Sequence, residues 1–452
     1  MSALYDKLTT AAHSYSGSGF EQLCLEMIGL KLQNPDLFHW HADSPALLVP
    51  QPDEEEPFST LPIFDNYLEL GSHFGDPNDW IKCAQIIDEA DISDEGDFLG
   101  GLWEEFLSHG QNGVSKKRGE YFTPPMLARL VCRLAIGDRD KVDILYDPTC
   151  GSGGLLVEAV RELGIENIGK VWGQEINSDT ANLASLNFYL RNFPIGKACI
   201  VRGDTLTSPQ LDTEGKCDCI VANPPYGLHW EGGRKSPLAK DPRFSDLAVM
   251  PPSSSADWAF LSHICWSLRR GDGRAAVLQN GGPLFRSGER LIRAHFVEKG
   301  WLKAVIHLPA GLFANTGIPV DLLLFEKYTG DQSVYFLDAS QICEKNRQMT
   351  EDEIDTILRM TTHKEVVEGI SWHAPLQEIA ADDYCLSPSM YIHAPQKRDP
   401  DIERWEKMTP EELIYEMREQ RRKRQEEIEK CEDELLKLLK QSPKGSTMRM
   451  KA

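Results

Sequence analysis

The stretch VDILYD at residues 142–147, followed at once by PTCGSGGLL at 148–156, decides the fold. It reads as a buried strand ending in an acid, a glycine-rich loop, and the start of a helix. Glycines without a Cβ let backbone approach a ligand closely, and open α/β sheets bind ligands at the carboxyl ends of their strands. The loop has no GxxxxGK[ST] pattern and no lysine positioned for phosphates, so it is not a P-loop, and it is not GxGxxG. Alone it is a tight strand-to-helix turn.

Working outward, further apolar runs of strand length follow: KVWGQE (170–175), KACIV (197–201), CDCIVA (217–222), GRAAVLQ (273–279), KAVIHLP (303–309) and DLLLFEK (321–327). Amphipathic stretches at 155–163, 178–193 and 257–268 lie between them. Alternating strand and helix predicts an α/β architecture, a mainly parallel seven-stranded sheet with helices on both faces. Residues 334–337 offer one more strand. Upstream, 20–32 and 98–107 carry helical spacing, so residues 1–109 read as a helical, acidic N-terminal region. Residues 110–345 form the sheet domain, 346–408 an extension, and 409–452 an amphipathic helix and tail. That last helix opens with the capping box Thr409-Pro410-Glu411-Glu412. Behind it Ile414, Met417, Arg421, Arg424, Ile428, Cys431, Leu435 and Leu438 keep heptad spacing, the pattern of a helix that packs on its own protein or docks on a partner.

Composition sets limits. The 452 residues are 41% hydrophobic and 26% charged, ordinary for a globular chain of two to four domains at roughly 100–200 residues each. Mean hydropathy is -0.38 and no apolar run reaches membrane-spanning length, so no membrane association is expected. The N-terminus lacks a signal-peptide pattern, and the eleven cysteines lack paired CxxC spacing. Neither a disulfide framework nor a metal site is expected, and the expected compartment is the cytoplasm. Net charge is -22, which disfavours a simple nucleic-acid binder without excluding an enzyme whose grip comes from a partner. Residues 51–105 hold sixteen acids and the one base Lys82, the pattern of a solvated loop.

Three more strand ends carry chemistry. In GQEIN, Glu175 lies 28 residues beyond Asp147, placed to accept from ribose hydroxyls. In GDTL, Asp204 could accept from an adenine amino group. Asn223-Pro224-Pro225-Tyr226 then ends the fourth strand. Two prolines fix the backbone there and remove two donors. The Asn223 side-chain carbonyl and the Pro224 backbone carbonyl can both accept from one planar amino group, drawing its lone pair out of conjugation. Tyr226 offers a face on which an extruded base can stack.

DPTCGSGGLL, GQEIN, GDTL and NPPY, in this order, resemble the motifs of S-adenosylmethionine-dependent N6-adenine DNA methyltransferases. Closer still is the resemblance to the modification subunit of type I restriction–modification systems. It extends to KKRGEYFTPPMLARLV (116–131), to 253–293, to VIHLPAGLFANTGIPVDLLLFEK (305–327) and to YCLSPSMYI (384–392), in all about residues 98–395. The resemblance implies a Rossmann-like methyltransferase fold and methyl transfer to N6 of adenine in DNA, direct and without a covalent enzyme intermediate or a metal.

Residue by residue, it implies that Tyr121, Phe122, Thr123 and Pro124 hold the cofactor's amino-acid part, with Thr123 also capping the helix begun by Pro124. Asp147, Thr149, Gly151, Ser152 and Gly153 would line the cofactor loop, Glu175 the ribose, and Asp204 and Leu206 the adenine. Asn223, Pro224, Pro225 and Tyr226 would hold the target base, Asn223 counting with the cofactor set as well. Cys150 reads as a small packing residue, not a nucleophile. Two features depart from the family pattern: a short, acidic N-terminal region, and Gln279-Asn280 where a proline-containing turn is commoner. The long loop 227–255, with Arg234, Lys235, Lys240 and Arg243, has two readings, a segment that orders against DNA or a mobile surface loop.

No segment reads as a target-recognition domain. The resemblance therefore implies a specificity subunit in trans, docked through 409–440, with double-stranded DNA as substrate, a restriction subunit as a further partner, and two copies per assembly. Three other readings compete: a solitary adenine DNA methyltransferase, a protein glutamine-N5 methyltransferase, whose carboxamide fits the same clamp, and a non-catalytic assembly protein that keeps the fold.

Overall fold

A computed structural model describes residues 123–393, except 190, 192, 195, 234, 314–318, 328–329 and 344–346, together with 408–441 and scattered positions before residue 91. Tyr121, Phe122 and most of the acidic N-terminal region lie outside the described residues. Within the 20–32 stretch, Cys24, Met27 and Ile28 are helical and buried, as its spacing predicts.

Among the described residues nine strands form one sheet, in the order β3-β2-β1-β4-β5-β7-β6-β8-β9. They are β1 (Val142–Asp147), β2 (Ile168–Glu175), β3 (Ala198–Arg202), β4 (Cys219–Ala222), β5 (Arg274–Asn280), β6 (Leu302–His307), β7 (Val320–Glu326), β8 (Val334–Asp338) and β9 (Ser371–Ala374). Strand β7 runs antiparallel to β5 and β6, and β9 antiparallel to β8, while the other pairs are parallel. All seven predicted strands are present, within one or two residues except where Cys217 makes only an isolated bridge to Leu268. β8 is the extra strand expected at 334–337. β9 was not anticipated: its four residues, SWHA, bury only Ser371 and Ala374 and carry no run of apolar side chains.

The strands read as continuous apolar runs because helices cover both faces. Alternation along β4 sends Cys219 and Val221 to one core and Ile220 and Ala222 to the other. The first core is closed by helices α1 (Pro125–Ile136), α2 (Gly154–Leu163), α3 (Ser178–Tyr189) and α6 (Glu351–His363); the second by α4 (Asp257–Ser267) and α5 (Arg290–Glu298). Each large apolar side chain so buried contributes about 1.5–3 kcal/mol. The architecture is Rossmann-like α/β, as the alternation predicts.

Helix α7 (Pro410–Gln441) belongs to a separate unit, residues 394–452. Its predicted capping box forms: Thr409 N and Oγ1 both donate to Glu412 Oε2, at 2.8 and 2.9 Å. On its surface Ile414, Met417 and Ile428 are exposed. The side chains of Cys431, Leu435 and Leu438, the rest of the expected apolar stripe, lie outside the described residues.

Candidate active site

Strand order puts the carboxyl ends of β3, β2, β1 and β4 side by side, and with them Asp204, Glu175, Asp147 and Asn223. Four motifs scattered over some 80 residues of chain thus share one sheet edge, where open α/β sheets bind ligands.

The glycine loop is shaped from below. Cys150 N donates to Gln174 O at 3.0 Å, and Asn187 Nδ2 donates to Ser152 O at 2.9 Å. Gly153 has φ +83°, a left-handed conformation that favours glycine, while a Cβ there would meet Phe188 and Ala184 of α3 only in ordinary contact at 3.4 and 3.5 Å. Gly151, with φ +53°, faces open space: a Cβ would meet nothing within 4 Å. Its N–H donates to Glu175 Oε2 at 3.1 Å, while Asn177 N donates to Oε1 at 2.9 Å. Asp147 is fully buried and accepts from Thr149 N at 2.9 Å. Burial, reinforced by the Glu175 charge, pushes its carboxyl up to about 8, which favours the protonated form at neutral pH. Cys150 is buried in the first core, and burial raises its thiol well above the usual range, which fits packing and not nucleophilic attack.

Beyond β3, Asp204 Oδ1 accepts from Leu206 N at 2.9 Å and its Oδ2 from Thr207 Oγ1 at 2.8 Å. Thr205 Oγ1 donates to Pro148 O at 2.5 Å, joining this turn to the glycine loop. Ile176, next to Glu175, is 64% exposed, an apolar surface at the edge that the motifs do not single out.

At β4 the Asn-Pro-Pro-Tyr turn meets the start of α1. Asn223 Nδ2 donates to Thr123 Oγ1 at 3.1 Å, and the Tyr226 hydroxyl donates to Asn223 Oδ1 at 2.6 Å. This fixes the orientation of the amide, with its carbonyl oxygen toward Tyr226. It also corrects one expectation. Thr123 does not cap α1: the helix starts at Pro125 with Pro124 at the N-cap and no side-chain cap, because the Thr123 hydroxyl is engaged by Asn223.

A second correction concerns the 227–255 loop. Arg243, expected as a basic residue for DNA, is buried. Its guanidinium donates to Thr205 O at 2.6 Å, Leu206 O at 2.7 Å and Asp241 Oδ2 at 2.7 Å. It also donates to His263 Nδ1 at 3.3 Å; since arginine only donates, Nδ1 accepts and the His263 proton sits on Nε2, against the Tyr146 oxygen at 2.9 Å. Burial, with the Arg243 charge, lowers His263 to about 3, keeping it neutral. Phe244, Met250 and Leu206 pack in a small core of their own. Arg243 is therefore an internal strut between the loop and the Asp204 turn, while Lys235 and Lys240 remain exposed.

Sequence reasoning also missed Asp257. It is fully buried at the start of α4, accepts from Gly227 N at 2.8 Å through Oδ1, and from Ser255 Oγ at 2.6 Å and Arg286 Nη1 at 3.0 Å through Oδ2. The signal was a lone acid heading an otherwise apolar helix, DWAFLSHICWS.

The N-6 DNA methylase family matches residues 94–400. The chain is 32% identical over 317 residues to the type I restriction enzyme MpnII methylase subunit of Mycoplasma pneumoniae, covering 67% of this chain and 58% of that protein. It thus spans little more than half the length of that relative. It is 31% identical to the HindI methylase subunit of Haemophilus influenzae, covering 69% of this chain and 72% of that one. Among solved structures, the type I restriction–modification methyltransferase subunit from Streptococcus thermophilus aligns at TM-score 0.65 and 30% identity, covering 74% of this chain and 72% of its own.

Proposed function

Since the chain belongs to the N-6 DNA methylase family, we propose that it transfers a methyl group from S-adenosylmethionine to N6 of adenine in DNA, as the modification subunit of a type I restriction–modification system. Sequence specificity then comes from a partner subunit. The observation that carries the reading is the Asn223 clamp: an oriented side-chain carbonyl beside two prolines at the end of β4, on the same edge as the glycine loop.

The residues present suit the methyl donor. Gly151 leaves open space beside the loop, Glu175 sets a carboxylate at the end of β2 suited to ribose hydroxyls, and Ile176 offers an apolar face to an adenine ring. Asp147 and Glu175 together present carboxyl groups to a cationic ligand. When bound, the donor supplies a methyl carbon activated by a sulfonium leaving group. The protein's part is positioning: Asn223 Oδ1 and the Pro224 carbonyl accept the two hydrogens of N6, and Tyr226 stacks on the base. Tyr121 and Phe122 are assigned to the donor's amino-acid part through the same family pattern. The domain scheme follows, with 110–345 catalytic and the 409–440 helix docking on the specificity subunit.

The test is co-expression with neighbouring open reading frames and sequencing of host DNA for N6-methyladenine, with Asn223→Ala as control. A methylated motif that needs both this chain and a neighbour, and vanishes in N223A, supports the proposal. Methylation by this chain alone makes it a solitary enzyme. No DNA methylation with any neighbour sinks the reading and favours a protein glutamine substrate.

A further inference from the structure

The turn that leaves β5 presents an aromatic residue to the same edge. Residues Gly282–Phe285 form one helical turn directly after β5, the parallel neighbour of β4 about 4.8 Å away. Phe285 is 59% exposed, although the backbone beneath it is tightly held. Pro283 O accepts from Trp258 Nε1 at 3.3 Å and Arg293 Nη1 at 3.2 Å. Leu284 O accepts from Leu386 N at 2.8 Å, and Arg286 O from Arg293 Nη1 at 2.7 Å. More than half of Phe285 thus stays in water on a rigid base, where a ligand can reach its ring.

Asp257 ties this turn to the Asn-Pro-Pro-Tyr turn. One carboxylate oxygen holds Gly227, the residue after Tyr226, and the other holds Arg286, the residue after Phe285. Two aromatic residues, Tyr226 and Phe285, are thus each one position from the two ends of a single buried carboxylate. Arg286, next in the chain to Phe285, keeps 36% of its side chain exposed while it binds Asp257. An exposed ring beside a guanidinium, on the edge that holds Asn223, suits the π-face of a base.

We propose that Phe285 is a second contact to the extruded target adenine, packing its ring against the base, with Asp257 as the positioning residue that sets Phe285 relative to Tyr226. The inference rests on the adenine-methylation reading and extends it to a residue outside the motifs.

The experiment uses the assembled enzyme purified from its host and a duplex carrying 2-aminopurine at the target position, whose emission rises when the base leaves the stack. Phe285 is exposed, so Phe285→Ala and Phe285→Trp both fold. F285A is expected to lower kcat/KM for DNA by about tenfold or more, the scale of one base–aromatic contact. It should also reduce the 2-aminopurine signal while leaving S-adenosylmethionine affinity unchanged, and F285W should restore both. F285A that matches wild type in methylation and emission overturns the inference and leaves the function standing. F285A that instead weakens S-adenosylmethionine binding also overturns it, marking a structural role. A wild-type complex that methylates no DNA overturns the function and the inference together.

Discussion

The Tyr226 hydroxyl donates to Asn223 Oδ1 at 2.6 Å, so the acceptor needed by the target amine already holds one hydrogen bond from within the protein. That oxygen has two lone pairs, so an N6 entering the site shares it with the hydroxyl or displaces the hydroxyl, and the two compete for it. Removing only the hydroxyl lifts the competition and keeps the ring for stacking. Tyr226→Phe is therefore expected to lower KM for DNA about fivefold, the worth of roughly 1 kcal/mol for one hydrogen bond, with S-adenosylmethionine affinity unchanged. Steady-state methylation assays check this, and a raised KM would show that the hydroxyl helps the substrate.

Asp147 gives a pH signature. Its folded value of about 8 lies above the unfolded carboxyl range near 4, so the folded state binds this proton more tightly. The resulting stability is present at low pH and is lost as pH rises from about 4 to about 8, at up to about 1.4 kcal/mol per unit. A cationic ligand reverses the preference, so binding near neutral pH releases a proton and affinity climbs toward pH 8. In Asp147→Asn both dependences should vanish. Calorimetry of S-adenosylmethionine binding in two buffers of different ionisation enthalpy measures the released proton; identical enthalpies would refute the assignment.

Asp147 and Asn223 were legible as strand-end residues because Asp147 ends β1 and Asn223 follows β4, each strand announced by its apolar run, and the same runs predict the sheet. What stayed hidden has physical causes. β9 is four residues at the sheet's edge, too short and too polar for periodicity. Arg243 looked like a surface cation because composition cannot reveal that Thr205, Leu206 and Asp241 surround its guanidinium. Thr123 had the sequence of a cap, but a tertiary partner 100 residues away took its hydroxyl. Asp257 serves Gly227 and Arg286 from a third segment, a relation no local pattern encodes.

Gly173 carries the packing beneath the loop. A Cβ there would fall 2.6 Å from Ile200 Cδ1, 2.9 Å from Cys150 Sγ and 3.1 Å from Leu156 Cδ1. Gly173→Ala is expected to destabilise by about 1–3 kcal/mol, as overpacking does. Adding Cys150→Ala should recover part of that loss, since the sulfur is one of the obstructing atoms. Denaturant unfolding of the single and double variants tests the coupling; strictly additive losses would count against direct contact.

Helix α7 bears on the partner. Ile414 is 51%, Met417 63% and Ile428 46% exposed, and heptad spacing sets them on one stripe. Apolar residues repeated at that spacing on a long helix suit a partner helix. The sheet unit has two cores of its own, whose buried members among the described residues run from Leu127 to Tyr391. Deleting 409–452 is therefore expected to leave the sheet unit's unfolding transition and S-adenosylmethionine binding intact while abolishing co-purification of the specificity subunit. Replacing Ile414, Met417 and Ile428 with glutamate should act in the same direction without shortening the chain. Retained co-purification in both variants would place the docking surface elsewhere on the protein.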